Sequence, residues 1–113
     1  MLRDSESLID IGRAARRILR YINGVNRTEL ETNDENVSAI LYQITIIGEA
    51  TKRLSQEIRQ QHPEIPWRDI AGMRDILVHE YDQVDLDVMW DVVQTKLPEL
   101  LVLIEPLLPS PEN

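Results

Sequence analysis

Apolar residues recur every three to four positions through most of the chain, a spacing that predicts an all-α protein. In the first segment these positions are Leu8, Ile11, Ala15, Ile18, Leu19 and Ile22. We expect Asp4 or Ser5 to cap this helix at its beginning. Asn23 and Gly24 should end it, because glycine readily adopts the left-handed backbone conformation that often follows a helix.

A second apolar stripe predicts a long helix that begins near Asp34, after the polar connection VNRTELETNDEN, and ends before Pro63. Its apolar positions are Val37, Ile40, Leu41, Ile44, Ile47, Leu54 and Ile58. The sequence HPEIP predicts a rigid turn, because each proline restricts the residue before it and lacks a backbone N–H. A third helix is expected to open around Trp67 and to run through the octapeptide RDILVHEY, residues 74–81.

The last third of the chain predicts one further helix, interrupted by a proline. Asp85 is the expected N-cap, and Pro98 should either kink the helix or start a new one. The apolar positions are Leu86, Met89, Trp90, Val93 and Leu97. The pattern as a whole predicts an antiparallel bundle of four to five helices without strands, with one domain over residues 1–105 and a proline-rich tail over residues 106–113.

The composition excludes several kinds of chemistry. The 113 residues include no cysteine, which rules out a disulfide, a thiolate nucleophile and a cysteine-ligated zinc site. The first residues lack the uninterrupted apolar core of a signal peptide, and no later run has the length of a membrane span. A cytoplasmic location is the resulting expectation, and no cofactor is expected.

The charge distribution bears on the type of partner. A net charge of −8 argues against nucleic acid, because phosphate binding normally needs a basic surface. Most of that charge lies in residues 79–113, where eight acidic residues face one lysine. That acidic third could meet a basic partner, although a solvated helix face is the simpler interpretation. The same simple interpretation applies to the cluster of arginines near the start, Arg13, Arg16, Arg17 and Arg20.

The octapeptide contains residues that could cleave RNA. On a continuous helix, Asp75 and His79 are four residues apart, so the carboxylate could orient the imidazole and favour its protonated form. An ordinary helical pair has the same spacing. Arg74 adds a permanent cation whose fork geometry suits phosphate oxygens. A histidine and an arginine suffice for metal-free cleavage in which the RNA 2′-hydroxyl attacks the adjacent phosphorus, but a second proton-transfer group is missing.

A two-fold dimer could supply the missing group by repeating both residues across one cleft. On a continuous helix Arg74 would share the apolar stripe of Ile70 and Leu77, whereas His79 would project from the opposite side with Gly72. Such a two-sided helix is expected where one side meets its own bundle and the other meets a second chain. Dimerisation is therefore the simplest interpretation of this segment.

The pattern R-x4-H-x-Y in RDILVHEY resembles the signature of the HepT-like branch of the HEPN superfamily. The resemblance extends to IIGEATKRLS (46–55), HPEIPWRDIAGMRD (62–75) and VDLDVMWDVVQTKLPEL (84–100), while the first helix matches only in general character. It implies an all-helical, HEPN-like homodimer that acts as a metal-independent endoribonuclease and as the toxin of a toxin–antitoxin pair.

The resemblance also assigns roles to individual residues. Arg74 and His79 match the catalytic positions of the family, and Asp75 matches the polar position that assists them. Tyr81 matches the tyrosine that receives AMP from a partner MNT-type nucleotidyltransferase, the antitoxin. The alternative is a non-catalytic helical module that docks onto a nucleotidyltransferase and positions its substrate.

Four other residues have structural interpretations. His62 could be the missing acid, but its turn context favours an exposed structural residue. Trp67 and Trp90 are expected to anchor the core or an interface instead of stacking on bases. Glu49 could face inward and pair with Arg74 across the bundle, and it is left out of the catalytic set.

Overall fold

The computed structural model describes residues 2–80 and 83–109 and places most of them in helices. The α-helices are α1 (Leu2–Tyr21), α2 (Arg27–Thr32), α3 (Asp34–Lys52), α4 (Gln56–Gln61), α5 (Trp67–Ala71), α6 (Met73–Leu77), α7 (Leu86–Asp91) and α8 (Leu97–Ile104). A π-helical segment, Val92–Lys96, joins α7 to α8, and a 3-10 turn, Glu105–Leu107, follows α8. Two short strands, β1 (Val78–Glu80) and β2 (Gln83–Val84), form an antiparallel pair. Among these helices, none combines the length and the apolar character that a membrane crossing requires.

The two long helices, α1 and α3, lie antiparallel and provide most of the core. Near one end of the pair the Asn36 amide donates to the Tyr21 carbonyl at 3.2 Å, and beyond the other end the Ser55 N–H donates to the Asp4 carboxylate at 2.9 Å. The apolar stripe predicted for α1 is confirmed, since Ile11, Ala15 and Ile18 are fully buried. The all-α class expected from the apolar spacing is therefore confirmed.

Asp4 has a role different from the predicted N-cap, because α1 already begins at Leu2. Its carboxylate is 5% exposed and accepts two hydrogen bonds from Ser55, one from the hydroxyl at 2.6 Å and one from the backbone N–H at 2.9 Å. These bonds hold the pKa of the Asp4 carboxyl below its usual value, against the opposing effect of burial. Asp4 thus fastens the beginning of α1 to the beginning of α4.

The predicted second helix is divided into two. It begins at Asp34 as expected but ends at Lys52, and Ser55 starts α4 by accepting a hydrogen bond from the Ile58 N–H at 3.3 Å.

The polar connection before α3 contains an additional helix, α2. Asn26 and Glu29 form a capping box at the beginning of α2, with bonds of 2.8 and 3.0 Å. The buried Leu30 then packs α2 onto the core.

Pro98 changes the local helical geometry but does not end the helix, because α7, the π-helical segment and α8 follow one another without a gap. Asp85 caps α7 through a 3.1 Å bond from the Val88 N–H, and Pro98 lies in the first turn of α8. The intervening residues are π-helical, with the Leu97 N–H bonded to the Val92 carbonyl five residues earlier. A proline ring clashes with the carbonyl four residues before it, so a wider turn relieves the conflict without breaking the helix.

The boundary predicted at residue 105 stays a prediction. Residues 107 and 108 are leucines that pack partly buried against the core, and Leu108 lies over Gly12 of α1. The described part of the tail therefore contacts the helical domain. Residues 110–113 lie outside the described part of the chain.

Candidate functional site

The octapeptide does not form the continuous helix that its sequence predicts. Gly72 separates α5 from α6, and α6 ends at Leu77 after five residues. Val78 then adopts an extended conformation, with φ −112° and ψ 109°, and pairs with Val84. The Asp85 N–H also donates to the Leu77 carbonyl at 2.7 Å, so this carbonyl is satisfied without another helical turn. The expectation that the chain contains no strand is therefore wrong.

The end of α6 changes the relation between the predicted site residues. His79 lies in β1, so the helical spacing of four residues from Asp75 does not apply to it. The prediction that both lie on one helical face is wrong, because the backbone extends between them. Tyr81 lies outside the described residues.

Arg74 and Asp75 are both exposed on α6, whereas Met73 and Leu77 anchor that helix in the core at 5% and 0% exposure. The predicted position of Arg74 on the apolar stripe is thus wrong, because that prediction assumed one uninterrupted helix from Ile70 onward. Within residues 2–80 and 83–109, the Arg74 guanidinium has no hydrogen-bond or ion-pair partner. A short helix held by two buried side chains therefore presents an exposed guanidinium to solvent.

Gly48 sets the distance between α3 and the segment that carries the site. A Cβ atom at this position would lie 3.1 Å from the Ala71 carbonyl oxygen, which is closer than an ordinary van der Waals contact. Because the opposing atom belongs to the backbone, a side chain at residue 48 would displace the end of α5. The sequence signal was available, since an isolated glycine inside a helical pattern often indicates close packing.

A groove of about 340 Å³ lies beside α6, between the α5–α6 segment and the helices that follow Val92. One wall includes Pro66, Ile70, Met73 and Ile76, and the other includes Lys96, Glu99, Leu100 and Leu103. Ile76 lines this groove and is 49% exposed. This groove was not predictable from the apolar spacing, because its two walls come from segments about 25 residues apart.

The remaining candidate residues have structural roles. The Glu49 carboxylate is exposed and lies 3.5 Å from the Lys52 ammonium, so the proposed inward pairing with Arg74 is wrong. The His62 carbonyl accepts a 3.0 Å bond from the indole N–H of Trp67, which is itself 6% exposed. Trp90 packs partly buried against the core, so the structural interpretation of both tryptophans is confirmed. In the described part of the chain, no three His, Asp or Glu side chains converge as metal ligands would.

Comparison with known proteins assigns the chain to a family. The profile described as "Ribonuclease HepT-like" matches residues 11–107. A Thermococcus cleftensis protein provisionally named ribonuclease HepT is 36% identical over 93 residues, covering 82% of this chain and 84% of that protein. A Caldanaerobacter subterraneus protein provisionally named as an RNase is 35% identical over 83 residues, covering 74% of each chain. No solved structure matches.

These matches include α6 and both strands, the segment in which the structure places Arg74 and His79. They also include α3 and α8, which form the surroundings of that segment. Since the family profile extends over most of the sequence, the chain belongs to the HepT-like ribonucleases, a family of the HEPN type.

Proposed function

We propose that the chain is an endoribonuclease that cleaves RNA without a metal ion, at a site formed by Arg74, Asp75 and His79. The observation that carries the proposal is the exposed Arg74 guanidinium on α6, in a member of a ribonuclease family. An exposed arginine without a carboxylate partner among the described residues is available for a phosphate, to which it can donate two parallel hydrogen bonds.

The proposed reaction uses the substrate's own nucleophile. His79 removes the proton from the RNA 2′-hydroxyl, and the resulting oxygen attacks the adjacent phosphorus. The bond from phosphorus to the 5′-oxygen then breaks, and a proton is transferred to that oxygen as it leaves. Arg74 stabilises the negative charge that develops on the phosphorane oxygens, which is usually a large contribution to catalysis. The products are a 2′,3′-cyclic phosphate and a 5′-hydroxyl.

A second copy of the chain completes the site in this proposal. One histidine cannot both remove a proton and donate one in the same step, whereas a two-fold axis would place two copies of His79 in one cleft. The exposed Ile76 and the apolar wall of the adjacent groove support an interface near α6. Obligate interfaces are commonly centred on apolar residues of this kind.

Cleavage of RNA by purified protein tests the catalytic proposal. In excess EDTA, the wild type should release fragments that end in cyclic phosphate, and Arg74→Ala and His79→Ala should not. Arg53→Ala is the matched control, because Arg53 is also an exposed arginine without an ion-pair partner among the described residues. It should cleave at the wild-type rate. Equal activity of Arg74→Ala and Arg53→Ala would contradict the role of Arg74.

We further propose that the protein is the toxin of a toxin–antitoxin pair, inactivated when a partner MNT-type nucleotidyltransferase attaches AMP to Tyr81. A nucleotide two residues after His79 would add bulk and negative charge next to the catalytic residues. After incubation with the partner and ATP, the intact mass should rise by whole AMP units. Tyr81→Phe should abolish the increase, and Tyr42→Phe should retain it, because Tyr42 is 65% exposed but lies outside the motif.

The alternative function is a non-catalytic module that docks onto a nucleotidyltransferase and positions its substrate. The groove beside α6 favours it, since a mixed apolar and charged recess suits a protein contact as well. RNA cleavage distinguishes the two functions. A dimeric, folded protein that binds the transferase and leaves RNA intact would support the docking module.

A further inference from the structure

Three arginines of α1 line a second groove, of about 320 Å³, that shares no residue with α6. Arg13, Arg16 and Arg20 form one wall, and Leu108 and Pro109 lie on the opposite side. Positions separated by three and seven residues lie within about 60° of one another around a helix. The three side chains are exposed, so they form one basic face along about 10 Å of the helix axis. We call this surface the arginine groove.

Few carboxylates neutralise the arginine groove. Between Asp10 and Glu29 the chain has five arginines and no acidic residue, although its net charge is −8. The Arg13–Asp10 and Arg16–Glu105 ion pairs measure 3.8 and 3.7 Å between exposed groups, distances at which an incoming anion can compete. Arg20 has no carboxylate partner among the residues that the structure describes.

We propose that the arginine groove binds backbone phosphates of single-stranded RNA at a distance from the cleaved bond. The choice of RNA as the ligand rests on the proposed function. A stacked strand carries one phosphate per about 3.4 Å, so about three phosphates correspond to the length of the groove. The opposite wall offers apolar side chains for sugars or bases, which is common in sites that bind single strands.

The overall charge makes a local basic surface necessary for an RNA ligand. A chain of net charge −8 repels a polyanion over most of its surface, so productive binding needs one local basic surface that orients the strand. Arginine is well suited to this task, because its guanidinium donates parallel hydrogen bonds to phosphate oxygens.

Salt-dependent binding tests the arginine groove directly. The probe is a 2′-O-methylated RNA of about 20 nucleotides, which exceeds the usual length of a single-strand site and cannot be cleaved through its 2′-oxygen. The variant is Arg13→Gln/Arg16→Gln/Arg20→Gln. The matched control, Arg3→Gln/Lys52→Gln/Arg53→Gln, removes three exposed cations near the opposite end of α1, where Asp4 contacts Ser55.

At low salt the groove variant should bind the probe about tenfold or more weakly than the wild type. Its slope of log affinity against log salt should be shallower by about 2, since each phosphate contact on a single strand contributes about 0.7. The control should keep the wild-type slope. All the substituted side chains are exposed, so thermal unfolding should be unchanged. If the triple variant fails to fold, Arg20→Gln alone tests the groove with a smaller expected loss of affinity.

Cleavage of two substrates separates this inference from the proposed function. The groove variant should lose kcat/KM on long RNA and retain it on a dinucleotide, whose single phosphate cannot occupy the cleavage site and the groove together. A wild type that binds the probe through the groove but cleaves neither substrate would refute the proposed function alone. If the groove variant cleaves RNA and binds the probe with the affinity and salt slope of the wild type, the proposed role of the arginine groove is wrong. If the groove variant loses the binding of an acidic protein but keeps wild-type RNA binding, the proposal that the groove binds RNA is also wrong.

Discussion

Removal of the Asp4 carboxylate should destabilise the protein strongly at neutral pH and much less in acid. The buried carboxylate accepts bonds of 2.6 and 2.9 Å from Ser55, 51 residues along the chain. Hydrogen bonds to a charged group contribute about 1.5–3 kcal/mol, and these two go to the two oxygens of one carboxylate and are not independent, so Asp4→Ala should lower the free energy of unfolding by about 2–3 kcal/mol. The melting temperature should fall by roughly 10 °C in a chain of this length.

The pH dependence has a definite sign. The folded-state pKa of Asp4 lies below the unfolded value near 3.8, so its contribution is fully present above pH 3.8. It is lost as the pH falls through the lower folded-state pKa. Urea unfolding of the wild type and of Asp4→Ala should therefore differ most at neutral pH and converge in acid.

Asp10→Ala is the matched control for this prediction. Asp10 lies on the same helix, but among the described residues its carboxylate makes only an exposed 3.8 Å ion pair with Arg13, which should contribute less than about 1 kcal/mol. Equal stability of the two variants at neutral pH would refute the reasoning. A loss of unfolding free energy in Asp4→Ala that does not change with pH would also refute it.

Three further pairs of substitutions test the packing of the helices and the proposed interface. Gly48→Ala should lower stability by about 1–2 kcal/mol in thermal unfolding, because its Cβ would crowd the backbone of α5 at 3.1 Å. Gly12→Ala should be neutral or stabilising, since its Cβ would meet only side-chain atoms of Leu108 and Arg16, at 3.4 Å or more. Leu77→Ala should lower the free energy of unfolding in urea by about 2–5 kcal/mol, because Leu77 is 0% exposed. Ile76→Ala should lower it much less, because Ile76 is 49% exposed. In light scattering, Ile76→Asp should convert the proposed dimer to a monomer. Val102→Asp should leave the dimer intact, because Val102 is more exposed and lies outside the groove.

Each result can contradict a specific statement. Equal stability of the two glycine variants would mean that α3 and α5 are not closely packed. An intact dimer after Ile76→Asp would place the interface away from the groove beside α6. A small effect of Leu77→Ala would mean that α6 is not held by the core.

The apolar spacing of the sequence was sufficient to predict the long helices and much of the core. Ile40, Ile44 and Ile47 of α3 recur at helical intervals and are fully buried. The cap at Asp85 and a local change of the helix at Pro98 were also predictable, because capping and proline geometry depend on neighbouring residues alone. The motif of the octapeptide was sufficient to indicate the family to which the chain belongs.

The geometry of the candidate site was not predictable by the same reasoning. A periodic pattern continues through Leu77, yet the helix ends there because Val78 pairs with Val84 and the Leu77 carbonyl accepts from the Asp85 N–H. These partners follow later in the chain, and local propensity carries no information about them. The separation of His79 from the helical face of Asp75 follows from this pairing.

The sequence by itself determined the helical class, the family and the residue types available for chemistry, since each depends on local spacing or on a short motif. Tertiary structure alone decided that Asp4 contacts Ser55, that Gly48 lies against α5, and that the arginines of α1 share a groove with the C-terminal segment. The physical reason is the same for all three contacts. Each joins residues more than 20 positions apart, and packing of the folded chain brings them together.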